Sequence, residues 1–192
     1  MTFRTIVALA MVALLSACAH AIAINPLETP ARAEPTPSTK KVAYVMSDAD
    51  RGSEVTTLGG GGDKVKYFAY RDLEKSIRDA LRAVYSDVVA VKSGTDRAAV
   101  SATGADLVFV PSITTTSGSE SMFTWPPTQF SIDFACKVTD ATGAPVSSLK
   151  ILGSGTAEFS EFKHDMGLAG RRAASDLSRK LREAVLADPK LQ

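Results

Sequence analysis

The chain is poor in the residues that do chemistry. Its 192 residues include two histidines, two cysteines and one tryptophan. Two cysteines close at most one disulfide, so no disulfide framework can replace a hydrophobic core. Charge of one sign is also lacking: 22 Lys and Arg stand against 21 Asp and Glu. A chain this neutral does not carry the basic excess that holds nucleic acid through its phosphates, so no nucleic-acid partner is expected. Long apolar runs are missing too. The longest, from Ile6 to Leu15, is well short of the roughly 20 residues that a helix needs to cross a bilayer.

That short run instead has the length and flanks of a secretory signal. It follows Met1-Thr2-Phe3-Arg4, with a single positive charge, and ends in Leu15-Ser16-Ala17-Cys18. Aliphatic, small, small, cysteine is the bacterial lipobox. The small residues fit a peptidase cleft, and the thiol accepts a diacylglycerol. The expectation is a signal peptide over 1–17, cleavage before Cys18 and attachment to a membrane through lipid on that cysteine. Cleavage removes Arg4, which leaves the mature chain at zero net charge. It also leaves Cys136 without a partner in its own chain. By the sorting rule of bacterial lipoproteins, in which an Asp after the lipidated cysteine favours the inner membrane, the likeness of this segment to them implies for Ala19 the outer membrane and a domain facing the periplasm. The inner membrane and the cell surface are the lesser alternatives.

Residues 18–39 contain Pro26, Pro30, Pro35 and Pro37 and few large apolar groups. This composition predicts an extended tether, which at about 3.1 Å per residue could hold a domain up to roughly 60 Å from its anchor. A single domain is expected over 40–188, with 189–192 as a tail.

Within the domain, hydrophobic periodicity sets the elements. Val42–Met46 and Leu107–Val110 are short apolar runs that suit buried strands. Leu73, Ile77, Leu81, Val84 and Val88 recur at helical spacing, which predicts a helix over about 72–85 with one buried stripe. Glu74 and Arg78 form an i,i+4 pair on its outer side. Thr95 or Asp96 can cap a short helix through Ala102, which Gly104 can end. Phe130, Ile132, Phe134, Cys136 and Val138 alternate with polar residues, the mark of a strand with one buried face. Asp140-Ala141-Thr142-Gly143 is a hairpin turn, and the returning strand carries Leu149, Ile151, Ala157 and Phe159 on one face. Gly153 and Gly155 share that face, which suits either a bulge or a helix packed close against the sheet. A last helix over about 166–186 buries Ala174, Leu177, Leu181 and Val185, with Asp165 as its expected cap. The rest of its surface is basic. The order β-α-β-α-β-β-β-α makes this an α+β fold, a mixed β-sheet with helices packed on one face.

Catalytic and metal constellations are thin. His164, in Glu161-Phe162-Lys163-His164-Asp165, has the chemistry of a base beside carboxylates, but a loop histidine before a helix explains it as well. Cys136 sits mid-strand among apolar neighbours, where a thiol is inert. Glu158, Glu161 and Asp165 do not form a calcium loop. Gly59-Gly60-Gly61-Gly62-Asp63-Lys64 lacks the spacing and the hydroxyl residue of a phosphate loop. No cofactor or metal is expected, and the chain reads as a non-enzyme. Phe123, Trp125, Pro126 and Pro127 form a stiff aromatic loop suited to anchoring a partner.

The lipobox, the proline-rich segment and this strand–helix order resemble a broad group of proteobacterial envelope lipoproteins, the YajG-type lipoproteins and the CsgG/TolB-amino-terminal-like α+β domains. Only Cys18 matches a specific motif. The resemblance implies a lipid-anchored accessory that binds an envelope protein. A binding module for a lipid, a glycan or a peptidoglycan fragment, serving a transporter, is the alternative. If Cys18 is the anchor, Cys18→Ala releases the protein from the membrane fraction in cell fractionation; retention would refute the anchor.

Overall fold

A computed structural model describes residues 19–32, 37–120, 126–162 and 164–192 of the chain. Its main sheet has five strands in the order β5-β2-β6-β7-β8. These are β2 (Ser38–Val45), β5 (Tyr85–Val91), β6 (Leu107–Gly118), β7 (Gln129–Asp140) and β8 (Pro145–Thr156). The first half is parallel and the second antiparallel, so the sheet is mixed. Parallel pairs need crossover connections. Helix α2 (Ala69–Arg82) leads from β2 toward β5, and helix α3 (Arg97–Thr103) leads from β5 to β6. The α+β class and the broad element order expected from the sequence are both present.

The alternation in β7 is observed as predicted. Phe130, Ile132, Phe134, Cys136 and Val138 are buried, facing the helices α2 and α4 (Leu168–Ala187). On α2 the buried stripe includes Leu73, Ile77 and Leu81; on α4 it includes Ala174, Leu177, Leu181 and Val185. Helix α4 comes unusually close to the sheet. A methyl group on Gly155 would stand 2.2 Å from the carbonyl oxygen of Ala169, and one on Gly153 would stand 2.8 Å from that of Ala173. Only residues without a Cβ fit beneath a helix at that height.

Several expectations need correction. Helices do not lie on one face alone: Val100 of α3 packs with Ala43, Val91 and Val108 on the opposite side of the parallel half. Segment 48–63 adds to the expected element order. It holds a short helix, α1 (Asp48–Gly52), and strand β3 (Val55–Leu58), which pairs with β4 (Lys64–Tyr67) in a hairpin. Phe159 lies beyond the end of β8 and is exposed, although Ala157 is buried. Asp165 does not cap α4, whose N-cap is Gly167. Its carboxylate instead accepts from the Gly167 N–H and pairs with Arg171.

The largest correction concerns the tether. Residues 19–32 are not a free spacer. Ala19–Ala21 form a strand, β1, which runs parallel to β4 and completes a small sheet ordered β1-β4-β3. The chain then runs along the helical layer. Ile24 is fully buried, and its N–H donates to the Asp72 carboxylate of α2. The Leu27 N–H donates to Ser175 on α4 at 2.8 Å, the Thr29 hydroxyl donates to Asp79 on α2, and Arg182 donates to the Arg32 carbonyl. Composition suggested a solvated chain because prolines and small residues dominate. Two isoleucines and a row of backbone hydrogen bonds make it a strap over the two helices.

The strap and the tether predict different stabilities. Ile24→Ala should destabilise the domain by about 2–5 kcal/mol, the usual range for emptying a core site. A change below about 0.5 kcal/mol in urea unfolding would restore the tether.

Candidate functional site

The predicted residues do not converge on one centre. Cys18, Phe123 and Trp125 lie outside the described residues. Pro126 and Pro127 are buried, so neither offers a free contact surface; they seat the end of the connection against the domain. The Ala157 N–H donates to the Thr128 carbonyl next to them. His164 is exposed, and the carboxylates near it are taken by arginines. Glu161 receives two hydrogen bonds from Arg172, which with the Glu158 N–H hold its pKa down at about 2. Asp165 pairs with Arg171. Among the described residues no group of acidic, histidine or cysteine side chains is arranged to hold a metal ion.

Cys136 is 2% exposed, and burial pushes its thiol up to about 12. A thiol with that pKa holds almost no thiolate at neutral pH and is a poor nucleophile. The glycine run Gly59–Gly62 is the turn of the β3–β4 hairpin, with Gly61 and Gly62 at positive φ. A strand follows it rather than a helix, so no row of helix N–H groups faces a phosphate there.

One charged cluster does have the look of a catalytic constellation. The Arg51 guanidinium donates two bonds to Glu74, at 2.8 and 2.7 Å, and the Tyr44 hydroxyl donates a third at 2.9 Å. The Arg51 bonds hold the Glu74 carboxyl below its ordinary range, while burial raises Tyr44 to about 12. A carboxylate so fully accepted is a weak base, and a phenol with that pKa is a weak acid. The cluster ties α1 to α2 and β2. The expected Glu74–Arg78 pair is replaced by this tertiary one, since a bidentate partner is stronger than a helix-surface one.

The basic face of α4 also proves to be committed. Strand β8 is an edge strand, and its outer backbone groups need partners. Lys180 donates to the Leu152 carbonyl at 2.8 Å, Arg172 donates to the Thr156 carbonyl at 2.8 Å, and Asp176 accepts the Ser154 N–H at 3.0 Å. Arg171 and Arg182 hold the strap, at the carbonyls of Asn25 and Arg32. Arg179 bridges Asp176 and Glu183. These charges complete the fold and leave no open cationic strip for an anionic glycan.

Among the described residues two surfaces stand out. The first is the outer face of β6-β7-β8. In register across the strands lie Thr114, Asp133 and Leu152, and next to them Ser112, Ala135 and Lys150. They line an open groove of about 380 Å³. Leu152 is 53% exposed. The second is the end of the molecule where β6 finishes and β7 begins. The Ser117 hydroxyl there bonds to Thr57 and to the Leu58 carbonyl, which places the β3–β4 turn beside the roots of the 119–128 connection. Sequence reading missed both surfaces. Alternation marks the outward residues of β7 and β8, but not that no described residue covers them.

No protein-family model matches the chain, and no curated protein matches it significantly. Its fold is similar to that of protein XCC0632 from Xanthomonas campestris, of family DUF330. The identity is 12%, the match covers 85% of this chain and 92% of that one, and the TM-score is 0.55. The PelC dodecamer from Paraburkholderia phytofirmans is a more distant likeness, at 16% identity over 77% of this chain and 93% of that one, with a TM-score of 0.42. The neighbours come from Gram-negative bacteria. The likeness is one of fold.

The edge caps give a measurable pH dependence. Burial by itself would raise Asp176, but Lys180, the Ser154 N–H and Arg179 together hold it below the ordinary carboxylate value. A depressed folded pKa means that the contribution is complete above the unfolded value. It is lost as pH falls through the folded one. Asp176→Ala should therefore cost about 1–2 kcal/mol at neutral pH and speed amide exchange at Ser154. The difference from the unsubstituted protein should shrink below the ordinary carboxylate range. A pH-independent difference would show that Asp176 does not act through its charge.

Proposed function

We propose that the chain is a non-enzymatic, lipid-anchored envelope lipoprotein. It is held at the outer membrane through Cys18, faces the periplasm, and serves as an accessory to another envelope protein. The open face of β6-β7-β8 is the observation that carries this reading. Each of these strands is 12 residues long, one side of the layer they form is covered by α4, and the other carries the groove between Lys150, Leu152 and Asp133. An exposed leucine flanked by a lysine and an aspartate offers apolar contact with charges on either side to set register, the pattern of a protein-binding patch. The resemblance to YajG-type and CsgG/TolB-amino-terminal-like lipoproteins, stated from the sequence, points the same way.

The alternative, carriage of a lipid, has less support. It needs an enclosed apolar cavity, whereas the space between sheet and helices is filled by side chains such as Phe109, Phe130, Leu177 and Leu181. The polar groove is a better match for a glycan than for an acyl chain, but it is open and shallow.

In-cell photo-crosslinking tests the proposal. A photoreactive residue in place of Ala135 or Leu152 should yield a discrete adduct with an envelope protein. The same residue at Ala144, in the exposed β7–β8 turn, should not. Monomer alone from all three positions would remove the accessory role.

A further inference from the structure

The strap fixes where a lipid anchor has to sit. Ala19 is paired with Lys64, and Lys64 with Leu58, so the three stand level across the small sheet. Strand β1 is parallel to β4. The chain therefore enters β1 from the side on which Asp63 and the Gly59–Gly62 turn precede β4. Consecutive Cα atoms are 3.8 Å apart. Ala19 thus stands at the lip of the β3–β4 hairpin, so a lipid on the residue bonded to it would act without a spacer.

A second observation concerns the same end of the molecule. Five large hydrophobic side chains are exposed among the described residues: Leu27, Leu58, Leu152, Phe159 and Met166. Leu58 is 61% exposed, at the hairpin tip. Phe159, at 68%, lies three residues past Thr156, which is paired with Gln129 at the start of β7. Gln129 is paired in turn with Gly118, next to Ser117, whose hydroxyl bonds to the Leu58 carbonyl. Met166 precedes Gly167, which packs against the Ala23 carbonyl of the strap. The opposite end, with the Asp140–Ala144 turn and the chain terminus at Lys190 and Gln192, has no exposed large hydrophobic among the described residues.

We infer that this end of the domain rests on the bilayer, with Leu58 and Phe159 entering the headgroup layer beside the acyl anchor and Met166 at its margin. The inference rests on the lipid-anchor reading of Cys18. Acyl chains begin at the hydrocarbon boundary, and the headgroup zone outside it is roughly 5–8 Å thick on each side. A hairpin level with the residue next to the anchor stands inside that zone. An exposed leucine and phenylalanine suit it, because apolar side chains gain by leaving water there. Lys64, exposed at the same lip, can meet lipid phosphates. The occupant is the lipid surface itself, and the domain is seated on it rather than held away from it.

The experiment uses the acylated full chain in phosphatidylethanolamine–phosphatidylglycerol vesicles. Cys136 is buried with a raised pKa, so a single introduced cysteine is the only reactive thiol. An environment-sensitive fluorophore is placed in three separate variants: Leu58→Cys, Phe159→Cys and Ala144→Cys. The first two should shift to the blue and be quenched several-fold more by spin-labelled lipid than the third, which should stay water-like. Equal, water-like emission from all three on protein that floats with the vesicles would overturn the seating and leave the anchor intact. Failure of the protein to float would overturn the anchor and the seating with it. Because each position is exposed, the variants should retain the fold, which their circular dichroism checks.

Discussion

The close approach of α4 to β7 and β8 is the constraint on which the rest depends. Gly153 and Gly155 leave no side chain between helix and sheet, so the backbone of α4 lies against the strand. At that height its lysine and arginine stems reach the outer carbonyls of β8, and its Asp176 reaches an amide. The same placement brings α4 beside α2. There the hydroxyls of Ser76 and Ser178 bridge to backbone carbonyls across the helix pair. Small residues at this seam keep the two helices near enough to share one covering strap.

That strap in turn fits because Gly170 leaves room for Ile24, whose Cγ2 would stand 2.4 Å from a methyl group there. Glycine under the helix and glycine on top of it serve the same end, a thin layer. The thinness has an electrostatic result as well. Most of the charges that would make α4 a basic stripe are turned inward onto edges and strap carbonyls. A chain of nearly balanced composition thus also presents no open basic stripe on α4, and the contacts proposed above use the sheet face and the apolar end instead.

Much of this was legible in the sequence, and the reasons differ by element. The alternation of β7 is strict, and a strand with one buried face leaves that trace without ambiguity. The helix caps at Asp96 and Gly104 are local, so local residues declare them. Gly153 and Gly155 pointed to either a bulge or a close helix, and the contacts with Ala169 and Ala173 decide for the helix. The strap left a weaker trace. Its prolines and alanines suit a solvated chain, and what binds it is a contact between residues up to 150 positions apart. Composition is blind to such contacts. The Arg51–Glu74 pair was missed for the same reason, since α1 is too short for periodicity to find. Phe159 misled because strand alternation was continued past the point where β8 ends.

The strap also governs when the domain can finish folding. Its partners are Asp72 and Asp79 in the middle of the chain and Ser175 and Arg182 near the end. β1 can pair with β4 early, but the strap from Leu27 to Arg32 docks, and Ile24 gains its cover at Gly170, only once the last helix is available. Contacts between such distant positions must pay loop-closure entropy before they return anything, and chains built on them fold slowly. A nascent chain has no α4 to dock against while its N-terminal part is emerging. Ile24 lacks its cover from Gly170 during that interval. On the proposed lipoprotein reading, a chain that crosses a membrane unfolded is served by a fold that delays closure until its last helix has arrived.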